Sequence, residues 1–346
     1  MRTINVIQGQ GGIAAGLLHP LIRRSFALEG DYGFRIRCIP TGGLLEGAGV
    51  LDTILVQGRG DSQPIRATLT ALRERNPAAR LVYWDTHAST YARNFDLLDA
   101  VDVYVRRNLF RDMTLHEASY RGGRIFAEFF VDYLDLREEW CGTVTLDPRY
   151  RDKIVLGWDI AGQDYIERAL ERSQSERHDA RARPIDVCCR IGINPNHSKW
   201  YVGHRRAVLQ RLQSLDGFVV VATDQKLPKT AYLEELESSK IVVSPFGWGE
   251  VCWRDFEAVA CGCLLVKPSM EHVATYPFYY RDRETYVSVR WDLEDLGDKI
   301  RYYLAHDRER RCIVRNATEA LAQYFRDETY ARKLAEIIDV PGGGAP

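Results

Sequence analysis

Two series of short apolar runs, each alternating with helix-patterned segments, stand on either side of one polar stretch. In the first series TINVIQG, FRIRCIP, DTILVQG, ARLVYWD and AVDVYVR read as strands. LLHPLIRRSFAL and PIRATLTALRERN between them read as helices, the second with Pro64 near its start. The second series has strands at IDVCCRIG, GFVVVATD, KIVVSPF and CLLVKP, with helices at RRAVLQRLQSL and YLEELESS. The stretch between them, ERALERSQSERHDARARP (167–184), loses apolar character and closes on proline. Parallel strands need crossover connections, so strands alternating with helices imply a parallel sheet covered on both faces. The expected fold is α/β, with two Rossmann-like domains facing each other across a cleft. The boundaries read from the pattern are 1–166, a helix end and linker at 167–184, 185–325, and a C-terminal helix with a disordered tail at 326–346.

Composition narrows the class. Forty-seven basic and 48 acidic residues leave a net charge of −1 over 346 residues, so no global basic field points to nucleic acid. No run approaches the ~20 apolar residues of a membrane-spanning helix, which leaves room for peripheral contact only. The eight cysteines are scattered, and Cys188–Cys189 and Cys261–Cys263 lack the spacing of zinc ligands. The expectation is reduced thiols in a cytoplasmic protein with no metal and no cofactor. Composition is silent on oligomeric state.

The segment SPFGWGEVCWRDFEAVACGCLLVKP (244–268) carries the densest chemistry. It reads as a loop, a helix from about Glu250 to Cys261, Gly262 as the residue that ends it, and a strand. Glu250, Arg254 and Glu257 fall four and three residues apart, which puts them on one helix face. In parallel sheets ligands sit beyond the carboxyl ends of strands, where helix N-termini attract phosphate. Gly247 and Gly249 let the chain approach such a ligand, and Phe246 lies at the strand end. Arg254 suits a phosphate and Glu257 a ribose hydroxyl. The competing reading is a solvated Glu–Arg–Glu stripe. Arg190 at a strand end and Arg205, placed near the start of the next helix, are further diphosphate candidates, because arginine at a helix N-terminus is unfavourable without an anion.

RDFEAVACGCLLVKP is similar to a motif of exostosin-type enzymes, within the two-domain nucleotide-sugar glycosyltransferases of the GT-B fold. Arg254, Glu257, Ala258, Gly262 and Cys263 match, and the resemblance covers roughly residues 184–325. It implies a nucleoside diphosphate-sugar donor facing Arg254 and Glu257, and a glycan or small-molecule hydroxyl acceptor. Cys252-Trp253 stand where the family pattern has Ser-Pro. Many retaining members carry glutamates eight positions apart, whereas Gly249 lies eight before Glu257. That departure favours inversion.

An inverting transfer needs a base for the acceptor hydroxyl. YWDTH places Asp85 and His87 on one side of an extended strand end, either as base with the other orienting it. His19 and Glu46 are reserves, and a polar loop is the competing reading. QGQGG offers Gly11 and Gly12 as a phosphate- or acceptor-approach loop; Gly9, Gly11 and Ala14 also fit a dinucleotide fingerprint loosely. Two alternatives remain open: a nucleotide-sugar epimerase on the same architecture, and a non-catalytic sugar-nucleotide-binding or scaffold protein.

Overall fold

The computed structural model describes residues 1–9, 12–39, 51–137, 144–175 and 182–339. Its first sheet is built from β1 (Arg2–Ile7), β2 (Phe34–Ile39), β3 (Thr53–Gly58), β4 (Arg80–Asp85), β5 (Val103–Arg106) and, after the short β6 (Asn108–Phe110), β7 (Ile154–Leu156). The order is β2-β1-β3-β4-β5-β7, and every pair is parallel. The second sheet has β8 (Ile185–Arg190), β9 (Val220–Thr223), β10 (Ser239–Val243), β11 (Leu264–Pro268) and, after β12 (Val273–Thr275), β13 (Val287–Val289). Its order is β13-β11-β10-β8-β9, again parallel throughout. Read in chain order, both sheets place their second strand outside the first and step from the first to the third. The crevice where the order reverses is therefore β1/β3 in one half and β8/β10 in the other.

The helices are α1 (Gly12–Arg23), α2 (Ser25–Gly30), α3 (Ser62–Arg75), α4 (Ile125–Tyr133), α5 (Asp164–Ser175), α6 (Lys199–Gln213), α7 (Lys229–Glu237), α8 (Trp253–Ala260), α9 (Leu296–Ala305), α10 (Asp307–Ala322) and α11 (Asp327–Asp339). Strands such as β3 and β4 are buried on both faces, as sheets sandwiched between helices must be. None of the described helices is long and apolar enough to cross a membrane.

The two halves are joined more closely than two lobes across an open cleft. One apolar cluster runs from Trp84 and Trp158 of the first half to Phe246 and Phe256 of the second. β6 pairs antiparallel with β12, with Leu109 opposite Ala274, so a two-stranded ribbon crosses between the halves. α5, expected to trail into a linker, packs on α8, and Tyr165 there donates to Glu257 at 2.8 Å. α11 returns to the first half, where Arg24 pairs with Asp327 and Arg2 with Asp339. Glu46, Gly11, the centre of the polar stretch and the tail after residue 339 lie outside the described residues.

Candidate functional site

α8 begins later than its charge spacing suggests. Asp255 accepts the Cys252 amide at 2.9 Å, a capping arrangement that fixes Cys252 as the residue before the helix. Glu250 therefore stands in the preceding loop and does not share a face with Arg254 and Glu257. It is fully buried, takes the Thr90 amide at 2.8 Å, and lies 3.7 Å from His272. Burial pushes its carboxyl up, but His272 and backbone amides outweigh this and hold it below the ordinary value. At the other end Gly262, with φ +72°, and the Cys263 amide on Ala258 O close the helix as expected.

A cavity of about 450 Å³ opens at the β8/β10 crevice, within the range of small-ligand sites. Arg254 spans that crevice: its Nε donates to Arg190 O at the end of β8 (3.2 Å), and its Nη1 to Ser244 Oγ just after β10 (3.3 Å). Arg205 reaches the same cavity from α6 and donates to Gly192 O at 2.7 Å. It lies in the second turn of α6, since that helix starts at Lys199, so the dipole argument for it does not apply. Burial above all, and the neighbouring Arg254 charge, lower the Arg205 pKa. Neither guanidinium has a carboxylate within ion-pair distance among the described residues; their partners are carbonyls and a hydroxyl.

Two other cationic residues on the wall are already neutralised. Arg190, expected to hold a diphosphate, forms a two-pronged pair with Glu235 at 2.9 and 2.6 Å. Arg107 is paired with Asp159 at 3.0 Å. Glu257 lines the cavity, 4% exposed, where it meets Tyr165 and Lys229. Phe246 and Gly247 do not line it. The Phe246 ring is fully buried against Phe126 and Trp291, and only its carbonyl takes part, accepting from His204 and Arg205. The Gly247 amide is used within the loop, on Gly249 O at 3.0 Å. Gly12 opens α1 in the first half.

Asp85 and His87 do come together, with distinct roles. Asp85 is fully buried, forms an ion pair with Arg106 at 2.9 Å, and accepts from Tyr104 Oη at 2.7 Å. Burial raises its pKa, but Arg106 and His87 overcome that and hold the carboxyl well below the carboxylate range. A group so fixed as an anion takes no proton near neutral pH. His87 Nδ1 lies 2.7 Å from Asp85 Oδ1, which sets the tautomer with Nδ1 protonated. Nε2, whose lone pair is then free to accept, faces the Gly60 amide at a long 3.4 Å. Asp85 thus orients the His87 ring. His19, the reserve, is turned to Asp164 at 3.5 Å.

The sequence reading missed Arg107, between β5 and β6, Tyr165 of α5, and Lys229 and Tyr232 of α7. Only their convergence marks them; no local spacing does.

Residues 197–339 match the model of a glycosyl transferase-like family. A search of curated proteins finds no sequence match. Among solved structures, a glycosyltransferase from Rickettsia africae ESF-5 is similar over 98% of this chain and 99% of its own, with 12% identity and a TM-score of 0.52. A UDP-forming α,α-trehalose-phosphate synthase from Burkholderia xenovorans gives 98%, 99%, 12% and 0.54. The N-terminal domain of a Candida albicans trehalose-6-phosphate phosphatase gives 98%, 97%, 11% and 0.51. These similarities span both halves and the same α/β architecture. The chain therefore has the GT-B fold, and residues 197–339 match the glycosyl transferase-like family.

Proposed function

We propose that this enzyme transfers a sugar from a nucleoside diphosphate donor held at the β8/β10 crevice to a hydroxyl acceptor presented from the first half, with inversion. One observation carries the reading: Arg205 and Arg254 face one cavity with only neutral partners. An uncompensated guanidinium in a poorly hydrated site is costly, and a diphosphate removes that cost with charge-assisted, two-pronged hydrogen bonds. We assign stabilisation of the leaving diphosphate to these two side chains and to the N-terminus of α8, without a metal. Glu257, with Tyr165 and Lys229 around it, is the ribose end. His87, held by Asp85, takes the acceptor proton as the sugar transfers.

The narrower exostosin likeness rests on the Arg254–Cys263 motif alone, and the cytoplasmic location on the cysteine pattern; both belong to the proposal. The test is a panel of nucleotide sugars with and without hydroxyl acceptors in the presence of EDTA, followed by mass spectrometry. Acceptor-dependent release of nucleoside diphosphate is expected. Acceptor-independent interconversion of two nucleotide sugars makes the protein an epimerase. Tight binding without turnover on any acceptor makes it a binding protein.

A further inference from the structure

Three consecutive residues of the second half touch the first half, each by a different kind of contact. Trp248 O accepts from Arg124 Nε at 2.7 Å, and the Arg124 guanidinium lies 5.2 Å from the centre of the Trp248 ring and 5.5 Å from that of Trp200. A Cβ on Gly249 would sit 1.9 Å from Ala88 O, so any side chain there would drive the two loops apart. Glu250 takes the Thr90 amide. The loop it grips is the one that carries His87. That loop's carbonyls are held from its own side: Arg107 donates to Ala88 O at 2.7 Å and to His87 O at 3.3 Å, and Arg106 donates to Ser89 O. The Thr90 amide is held from across the molecule.

We propose that Trp248, Gly249 and Glu250 form a clasp, reciprocated by Arg124, that sets the His87 loop against the diphosphate cavity. Glu250 and Arg124 are positioning residues in it, and neither is a donor contact. The clasp joins the donor loop to the base loop: Ala88 and Trp248 both line the cavity, and Gly249 lines it between them. Its catalytic meaning rests on the donor and base assignments above, but the clasp itself is a structural claim that stands or falls separately.

The experiment compares the wild type with Glu250→Ala, Glu250→Gln and Arg124→Ala by amide hydrogen exchange and by calorimetry with UDP. In Glu250→Ala the segment 86–91 should exchange at least about tenfold faster, while exchange elsewhere stays unchanged. Glu250→Gln keeps an oxygen for the Thr90 amide and should restore most of the protection. Arg124→Ala should loosen 244–252 by a similar factor, and it decides the matter on the opposite loop should Glu250→Ala fail to fold. UDP affinity in Glu250→Ala should stay within about threefold of wild type. Turnover, where a donor is in hand, should fall about 10–100-fold at constant donor affinity, the size of a misplaced catalytic group. Wild-type exchange at 86–91 in a folded Glu250→Ala, no change at 244–252 in Arg124→Ala, or a tenfold loss of UDP affinity in Glu250→Ala overturns the clasp. A wild type that does not bind UDP counts against that nucleotide as the donor's and leaves the exchange result to judge the clasp.

Discussion

The end of β4 and the crevice between β8 and β10 handle charge in opposite ways. At the end of β4, Asp85 is surrounded by Arg106, Tyr104 and His87, so the buried negative charge is compensated within the protein. At the crevice, Arg205 and Arg254 are left with carbonyls and a hydroxyl. A compensated buried charge fixes geometry, because breaking it strands its partner in a low-dielectric interior. Under the proposed function, the uncompensated charge facing the cavity is completed from outside by the donor's diphosphate. The same residue types therefore signal a scaffold in one place and a ligand site in the other, and sequence spacing does not distinguish them.

Charge-removing substitutions should separate the two regions. The largest effect falls on His87→Ala: kcat should drop by about 10²–10⁴, the usual contribution of a general base, with UDP affinity near normal. Turnover close to wild type would move the base elsewhere. Asp85→Asn preserves volume but leaves Arg106 buried without its ion-pair partner. It should cost about 3–5 kcal/mol of stability, read as a lower denaturant midpoint. A midpoint like that of the wild type would mean the pair is not the fixed scaffold described here. Arg254→Ala should do the reverse: nucleoside diphosphate binding weakens by about 1.5–3 kcal/mol in calorimetry, while the melting temperature of the unliganded protein barely moves. A fall in stability with unchanged affinity would turn Arg254 into a structural residue and dissolve the contrast.

The last expected effect concerns pH. Burial foremost lowers the pKa of His116 to about 3 and that of His204 to about 4. Between those values and ~6.5 the unfolded chain binds protons that the folded chain does not, so stability falls as pH falls through that window. Each histidine contributes a slope of at most about 1.4 kcal/mol per pH unit. Asp85 and Glu250 are held below the ordinary carboxylate value, so their stabilisation is present above ~4 and is lost only below it. Denaturant titrations at pH 7.5, 6 and 5 should show the decline, and a substitution of His204 by glutamine should flatten it. An unchanged slope would mean that His204 is protonated in the folded state.

Much of the fold was legible in the sequence because it rests on periodicity. Short apolar runs broken by helix patterns specify parallel strands and their crossovers, and both halves deliver this. Gly262 was legible because a helix end in the left-handed region favours glycine. Arg254 and Glu257 were legible because local spacing carried both onto one helix, α8, whose position past a strand end follows from the topology. The sequence alone thus determined the element order, the class of fold, and the strand ends near which chemistry would be found.

Only the tertiary structure decided which charges were free. Glu250 and Arg254 have similar local patterns, yet one is spent on Thr90 across the molecule and the other is left facing a cavity. Arg190 sat at a strand end as expected, but Glu235, 45 positions along the chain, claims it. That Asp85 is held as an anion became visible only when Arg106 and Tyr104 were brought against it from β5. The return of α11 to the first half and the β6–β12 ribbon were likewise invisible in the sequence. The reason is physical. Secondary structure follows from contacts a few residues apart, whereas the state of a charge is set by whichever partners folding packs within a few ångströms, however distant they are in sequence.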